Sequence, residues 1–325
     1  MLCRMNKPKP TPARRTKVPV VGRTLQAAHA LAQAGSTSLA RADELRLTTN
    51  LIGAPLPAIG VKILVEMVRR AGGDAWQDKT WTISREEIRD LTGKHFTRDE
   101  LDKLLDALAT QAVKVLGTSR RDVPMWKRRP IFAELRNERD FDTEVEYELS
   151  AGLRALLAKS QHYTVLDVAV MAAMSSKYAL ILYEIGKQRL RMPDFSWEGT
   201  VAELRELLGV GPETMRNWAD LRRRTLDAAA KDLEDLAPFT MRIEETRHGR
   251  QVVRVRLSFI GKDEGAAAAA ARLVHATRIE RKARRGHGVE TVIGPALSAD
   301  EERRITVVKD ALPPLDDDLD DAIPY

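Results

Sequence analysis

Residues 81–93 read W-T-I-S-R-E-E-I-R-D-L-T-G, and residues 197–209 read W-E-G-T-V-A-E-L-R-E-L-L-G. Trp81, Ile88, Leu91 and Gly93 recur as Trp197, Leu204, Leu207 and Gly209, each 116 positions further on, and Arg89 finds its counterpart in Arg205. A repeated spacing marks a duplicated unit, and it has to be recognised before any single motif is weighed. In both copies the shared stretch reads as a short helix closed by glycine, the residue that most cheaply takes the left-handed conformation ending a helix.

Outward from the repeat, each copy continues with a turn and a longer helix. The first of these helices is expected over 98–116, where Leu101, Leu104, Leu105, Leu108 and Ala112 stand at helical spacing. The second is expected over 213–236, with Trp218, Leu221, Leu226, Ala229 and Leu233 apolar. The period then changes from helical to alternating, the sign of a strand with one buried face. Met241 and Ile243 lie on one side of a His248-Gly249 turn, and Val253, Val255, Leu257 and Phe259 on the other, which predicts a hairpin. The first copy predicts a longer hairpin through Arg120 to Arg129 and Ile131 to Leu149. An apolar helix precedes each unit, Ile59 to Arg70 and Met171 to Arg189. Helix, helix, hairpin is the order of a winged helix, so the fold class is α+β with two tandem winged-helix domains.

A chain of 325 residues with 43% hydrophobic content suits two modest cores. The expected organisation is a disordered basic arm over 1–40, an N-terminal winged helix over 41–150, a C-terminal one over 151–262, and a low-complexity tail over 263–325. The arm is rich in proline and basic residues. The tail begins with an alanine run, passes the basic cluster Arg281, Lys282, Arg284 and Arg285, and ends with Asp316, Asp317, Asp318, Asp320 and Asp321. Segment 150–161 reads as the linker between the domains. Cys3 is the only cysteine, which excludes an internal disulfide and a cysteine-rich zinc site. With no secretory signal and no long apolar run, the expected setting is a bacterial cytoplasm without membrane contact.

A net charge of +6 suits a polyanionic partner, and its placement points to double-stranded DNA. The second helix of a helix-turn-helix enters the major groove, where arginine bonds bidentately to guanine. Arg216, Arg222, Arg223 and Arg224 occupy that segment and are the candidates for base readout, although helical geometry turns Arg222 toward the apolar stripe. Lys231, Arg242, Arg247, Arg250 and Arg254 are candidates for phosphate contact in the same domain, with Arg256 at a further outward position of its hairpin. In the first domain the phosphate candidates are Arg98, Lys103, Arg120, Arg121, Lys127, Arg128 and Arg129. Along the first long helix, Asp99, Glu100, Asp102 and Asp106 nearly cancel the basic charges. Solvated surface is the competing reading for all of these residues.

Enzymatic readings find little support. There is no G-x-x-x-x-G-K-[ST] loop, the six histidines are scattered, and Tyr178 and Tyr183 stand on an apolar helix. No catalytic residue, metal or cofactor is expected.

The text S-S-K-Y-A-L-I-L-Y-E at Ser175–Glu184 resembles the motif opening the C-terminal winged helix of iteron-binding plasmid replication initiators. Glu203–Gly209 is similar to that family's E-L-R-x-L-L-G, Leu221–Leu233 to its basic helix, and Gly249–Val252 to its G-R-x-V strand pair. Departures are Ile181, where the family often has arginine, and Leu221, where it has an aromatic residue. The resemblance covers about residues 150–260 closely and about 45–149 in domain order. It implies binding to direct repeats in a plasmid origin, opening of adjacent DNA, and recruitment of host helicase and initiator proteins. It also implies dimerisation through the N-terminal domain, with autorepression and so control of plasmid copy number. A winged-helix transcriptional repressor and a tyrosine-dependent nicking enzyme are the alternatives.

Overall fold

The computed structural model describes residues 22–280, except 50, 75, 119, 120, 122 and 138–143, and the side chains of 118 and 278–280 are also left aside. The first 21 residues, the Arg281–Arg285 cluster and the aspartate tail lie outside the described residues.

In chain order the elements are α1 (Arg23–Gln33), β1 (Ser38–Ala42), β2 (Leu51–Ile52), α2 (Ala58–Gly73), β3 (Trp81–Ser84), α3 (Arg85–Thr92) and α4 (Arg98–Ala109). There follow β4 (Ala112–Thr118), β5 (Pro124–Pro130), β6 (Phe132–Asn137), β7 (Glu144–Leu149), α5 (Ala151–Lys159), β8 (Tyr163–Asp167), α6 (Val168–Ala173) and α7 (Lys177–Arg189). The second unit continues with β9 (Ser196–Thr200), α8 (Val201–Leu207), α9 (Trp218–Leu221), a π-helical turn (Arg222–Asp227), α10 (Ala228–Leu236), β10 (Phe239–His248), β11 (Gln251–Gly261) and α11 (Glu264–Glu280).

The repeat is a strand followed by a capped helix. Trp81 and Trp197 sit on β3 and β9, and the chain turns into α3 and α8 through capping boxes formed by Ser84 with Glu87 and by Thr200 with Glu203. Each box pairs two N–H groups that the first helical turn leaves without partners. Gly93 (φ 67°) and Gly209 (φ 61°) take the left-handed conformation expected of them. In each unit the first strand pairs antiparallel with the last: Trp81 faces Tyr147 and Trp197 faces Leu257, giving three-stranded sheets in the orders β3-β7-β6 and β9-β11-β10. Tyr147 stacks on Trp81, meets Phe132 edge-on and donates its hydroxyl to the Met67 carbonyl at 2.8 Å. Tyr183, Phe239 and Phe259 fill the corresponding core of the second unit.

Several expected boundaries move. α4 ends at Ala109, not Leu116, because A-V-K-V-L-G-T alternates over β4 and buries Val113 and Val115. The single long hairpin expected next is two hairpins. Pro130, which has no N–H to extend the ladder, ends β5, and the chain passes through buried Ile131 into β6. The β4–β5 hairpin, with β2 on its other edge, is therefore an insertion between helix and wing, and β6–β7 is the wing proper.

The expected helix Met171–Arg189 is broken at Met174–Ser176. Ser176 caps α7, and Ser175 donates both its N–H and its hydroxyl to Asp232 of α10. Segment 150–161 is helix α5 for most of its length, with Leu153 and Leu157 buried, so it is a packed element and not a free linker. Residues 23–40, expected to belong to the arm, form α1 and the start of β1, because Thr24, Ala27, Ala28 and Leu31 make one buried face. The tail also starts later than residue 263. Its alanines, the best helix formers, build α11, which buries Ala270 and Val274.

β1 pairs with β8 from Ser38–Asp167 to Ala42–Tyr163, closing the first unit against the chain that leads to the second. The end of β1 carries a buried polar cluster. Arg41 donates to Glu184 of α7 at 2.8 Å and to Asp43 at 3.2 Å, and Glu184 also accepts the N–H groups of Leu47 and Thr48. Among the described residues no helix is long and apolar enough to cross a membrane.

Candidate nucleic-acid interface

The second unit holds its exposed arginines on a braced scaffold. After Gly209 the turn of the helix-turn-helix is held by Arg205, whose guanidinium donates to the carbonyls of Gly211, Pro212, Thr214 and Met215. Met215, with φ 51°, is strained for a residue carrying a side chain, and that clamp holds it. Arg216, expected on the helix, lies in this turn and pairs with Glu213. The helix begins only after Asn217, whose side chain accepts the Asp220 N–H at 2.8 Å.

Arg222, Arg223 and Arg224 stand in the π-helical turn, a widened turn that often marks functional sites. Leu221, Thr225 and Leu226 are buried beneath them. Arg223 is 70% exposed and pairs with Asp220 at 2.8 Å; Arg224 is exposed. Arg222 differs from both. Its Nη1 reaches Glu245 of β10 at 2.5 Å and its Nε reaches Asp227 at 3.2 Å, so it ties the helix to the wing.

Glu245 is the hub that residue-by-residue reading of the sequence missed. Besides Arg222, it accepts the Trp218 indole N–H at 2.9 Å and both Nε and Nη2 of Arg247 at 3.1 and 2.7 Å. Burial pushes its carboxyl upward, but the bonds from Arg247, Trp218 and Arg222 outweigh this and hold it below the usual glutamate value. Strand alternation was the available signal: Glu245 occupies an inward position after Met241 and Ile243, where a carboxylate needs partners.

Strand register sorts the basic residues of the wing. Arg242, Arg254 and Arg256 share the sheet face that points away from the helix, where Arg254 pairs with Glu198 at 2.9 Å and Arg256 donates to Ser196 at 3.2 Å. A bulge between Thr246 and Arg247 shifts the register, so Val252 is buried and Val253, expected inward, is exposed. The turn lies one residue later than expected, at Gly249-Arg250, with Gly249 at φ 61°. Arg247, His248 and Arg250 are exposed at the tip, and Lys231 is exposed further along α10. The structure thus leaves Arg223 and Arg224 exposed on the turn that Arg222 ties to Glu245, sets Arg247 and Arg250 at the wing tip, and leaves Arg242 and Arg254 on the far side of the sheet.

In the first unit Arg98 and Lys103 are exposed on α4 among acidic neighbours, and Lys94 pairs with Glu100 at 3.0 Å. Its true wing is acidic, with Arg136 alone meeting Glu134, Glu146 and Glu148. Lys127 and Arg128 stand instead on the inserted hairpin with Arg121 near its tip, while Arg120 lies outside the described residues. Arg129 is half-buried and donates to the Gly152 carbonyl, anchoring the hairpin to α5.

No grouping of metal-ligating side chains occurs among the described residues. Tyr183 is fully buried, accepts the Asp167 N–H and has its hydroxyl pKa pushed well upward by burial, which makes it a core residue.

Two family descriptions match the chain. The family described as "Initiator Replication protein, WH1" matches residues 43–187, and "Initiator Rep protein, WH2" matches residues 200–259. A solved structure titled as domains 2 and 3 of RctB is similar at 12% identity over 57% of this chain and 75% of that one, with a TM-score of 0.36. No curated protein sequence matches the chain. With both matches falling in order on the two strand-helix-helix-hairpin units, the chain belongs to the initiator replication (Rep) protein family, with two tandem winged-helix domains.

Proposed function

We propose that this chain is a plasmid replication initiator that binds direct repeats in duplex origin DNA, its second winged helix providing sequence readout. Arg223 and Arg224 enter the major groove and read base edges, while Arg247 and Arg250 at the wing tip hold phosphates. Arg222 fixes the angle between helix and wing. One observation carries this reading: the turn that bears exposed Arg223 and Arg224 is tied through Arg222 to Glu245 of the wing strand, and the same carboxylate holds Trp218 and Arg247. A surface needed only for solubility requires no such bracing. Binding then opens adjacent DNA and brings in the host helicase and its initiator in the bacterial cytoplasm, and pairing of two copies through the first domain gives the autorepressing form. No catalytic step is assigned to the chain.

Titration of a labelled origin fragment against a scrambled fragment, at several salt concentrations, tests the assignment of roles. R223A/R224A should lose discrimination, by about 1 to 3 kcal/mol for each bidentate contact removed. R250A should weaken both fragments alike and lower the salt slope by about one. Unchanged discrimination in R223A/R224A would show that the readout lies elsewhere.

A further inference from the structure

The inserted β4–β5 hairpin carries a surface to which the proposed base readout by the second unit assigns no role. On its outer face Leu116 pairs across the strands with Trp126, and Lys114 with Arg128. The opposite face buries Val113 and Val115, so the hairpin is fixed from below and its outer side chains face solvent. Trp126 is 49% exposed, unusual for so large an apolar ring, and the Lys114 ammonium lies 4.3 Å from its ring centroid. Residues 112–130 contain six basic residues and a single acid, Asp122.

We infer that this face is a stacking platform for unpaired bases of single-stranded DNA, with Trp126 taking a base and Lys114, Arg128 and Arg121 following the backbone. An indole fixed on a strand cannot reach a base inside a stacked duplex, whereas an unpaired base offers its whole π-face to the ring. Aromatic rings set among cations are how single strands are held without sequence preference. A second copy is disfavoured as the occupant, because a symmetric pairing of this face would bring Lys114 and Arg128 against their own equivalents. The inference rests on the initiator reading only for the source of the strand, the DNA opened beside the bound repeats.

The test is fluorescence anisotropy of the full-length protein with a labelled oligothymidylate, run beside the origin duplex. W126A should weaken oligothymidylate binding by about five- to a hundred-fold, W126F should retain most of it, and duplex affinity should stay unchanged. R223A/R224A should show the reverse pattern. If W126A is poorly folded by urea titration, the doubly substituted K114Q/R128Q protein replaces it, and its oligothymidylate affinity should fall and depend less on salt. Unchanged oligothymidylate affinity, an equal loss on duplex, or a shift in sedimentation alone would overturn the inference, the last by making a second copy the occupant. Should the wild-type protein fail to discriminate origin duplex while oligothymidylate binding still requires Trp126, the duplex reading fails and the platform stands.

Discussion

Arg222, Arg223 and Arg224 are consecutive and chemically identical, yet packing gives them different work. Arg222 is held by Glu245 and Asp227, whereas Arg223 and Arg224 face solvent. R222A should therefore lower stability by about 1 kcal/mol, a small value because the side chain is partly exposed, and should also loosen the wing. R223A should stay within about 0.5 kcal/mol of wild type in urea and change only DNA discrimination. Helical projection of the sequence already turned Arg222 toward the apolar side. That projection was blind to the start of the helix, since the clamp of Arg205 on four carbonyls is a tertiary arrangement that moves Arg216 into the turn.

Among the elements, the junction of helix and wing depends on the ionised form of Glu245. Its folded-state pKa lies below the ordinary glutamate value of 4.5, so its contribution to stability is complete above that value and is lost as the pH falls through the lower, folded-state one. E245Q should remove this acid dependence and lower stability by about 1.5 to 3 kcal/mol, both measurable by urea titration across pH. The elements themselves were largely legible. Capping boxes, closing glycines and the alternation of β10 and β11 are local features, and the structure places short helices and a hairpin where they stand. Legibility failed where partners are distant or the local rule is broken. The β4–β5 insertion merges with the wing in the sequence because both strand pairs alternate and only Pro130 separates them. Val253 was expected inward because a bulge leaves no mark in hydrophobic alternation.

Across the whole molecule, the two winged helices are joined by packed structure. Segment 150–161, which reads as a linker, folds as α5 against α1, and Arg41 of β1 is sealed onto Glu184 of α7. Removing the Glu184 charge leaves buried Arg41 with Asp43 as its remaining acidic partner, so E184Q should cost about 3 kcal/mol by urea titration and impair both units together. A much smaller loss would mean that the units are held by apolar packing alone. Basic composition hid this arrangement in the sequence, since residues 23–40 follow a proline-rich arm and their small buried faces are weak signals. Rigid attachment also bears on binding, because two modules gain avidity only if their fixed geometry matches neighbouring grooves. The most direct measurement is footprinting of the full-length protein on origin DNA, with R223A/R224A in parallel. Protection of regularly spaced direct repeats by the wild-type protein, lost in R223A/R224A although its fold is intact, is the expected result. The same protected repeats in R223A/R224A, or no specific protection by the wild-type protein, would contradict readout through the second winged helix.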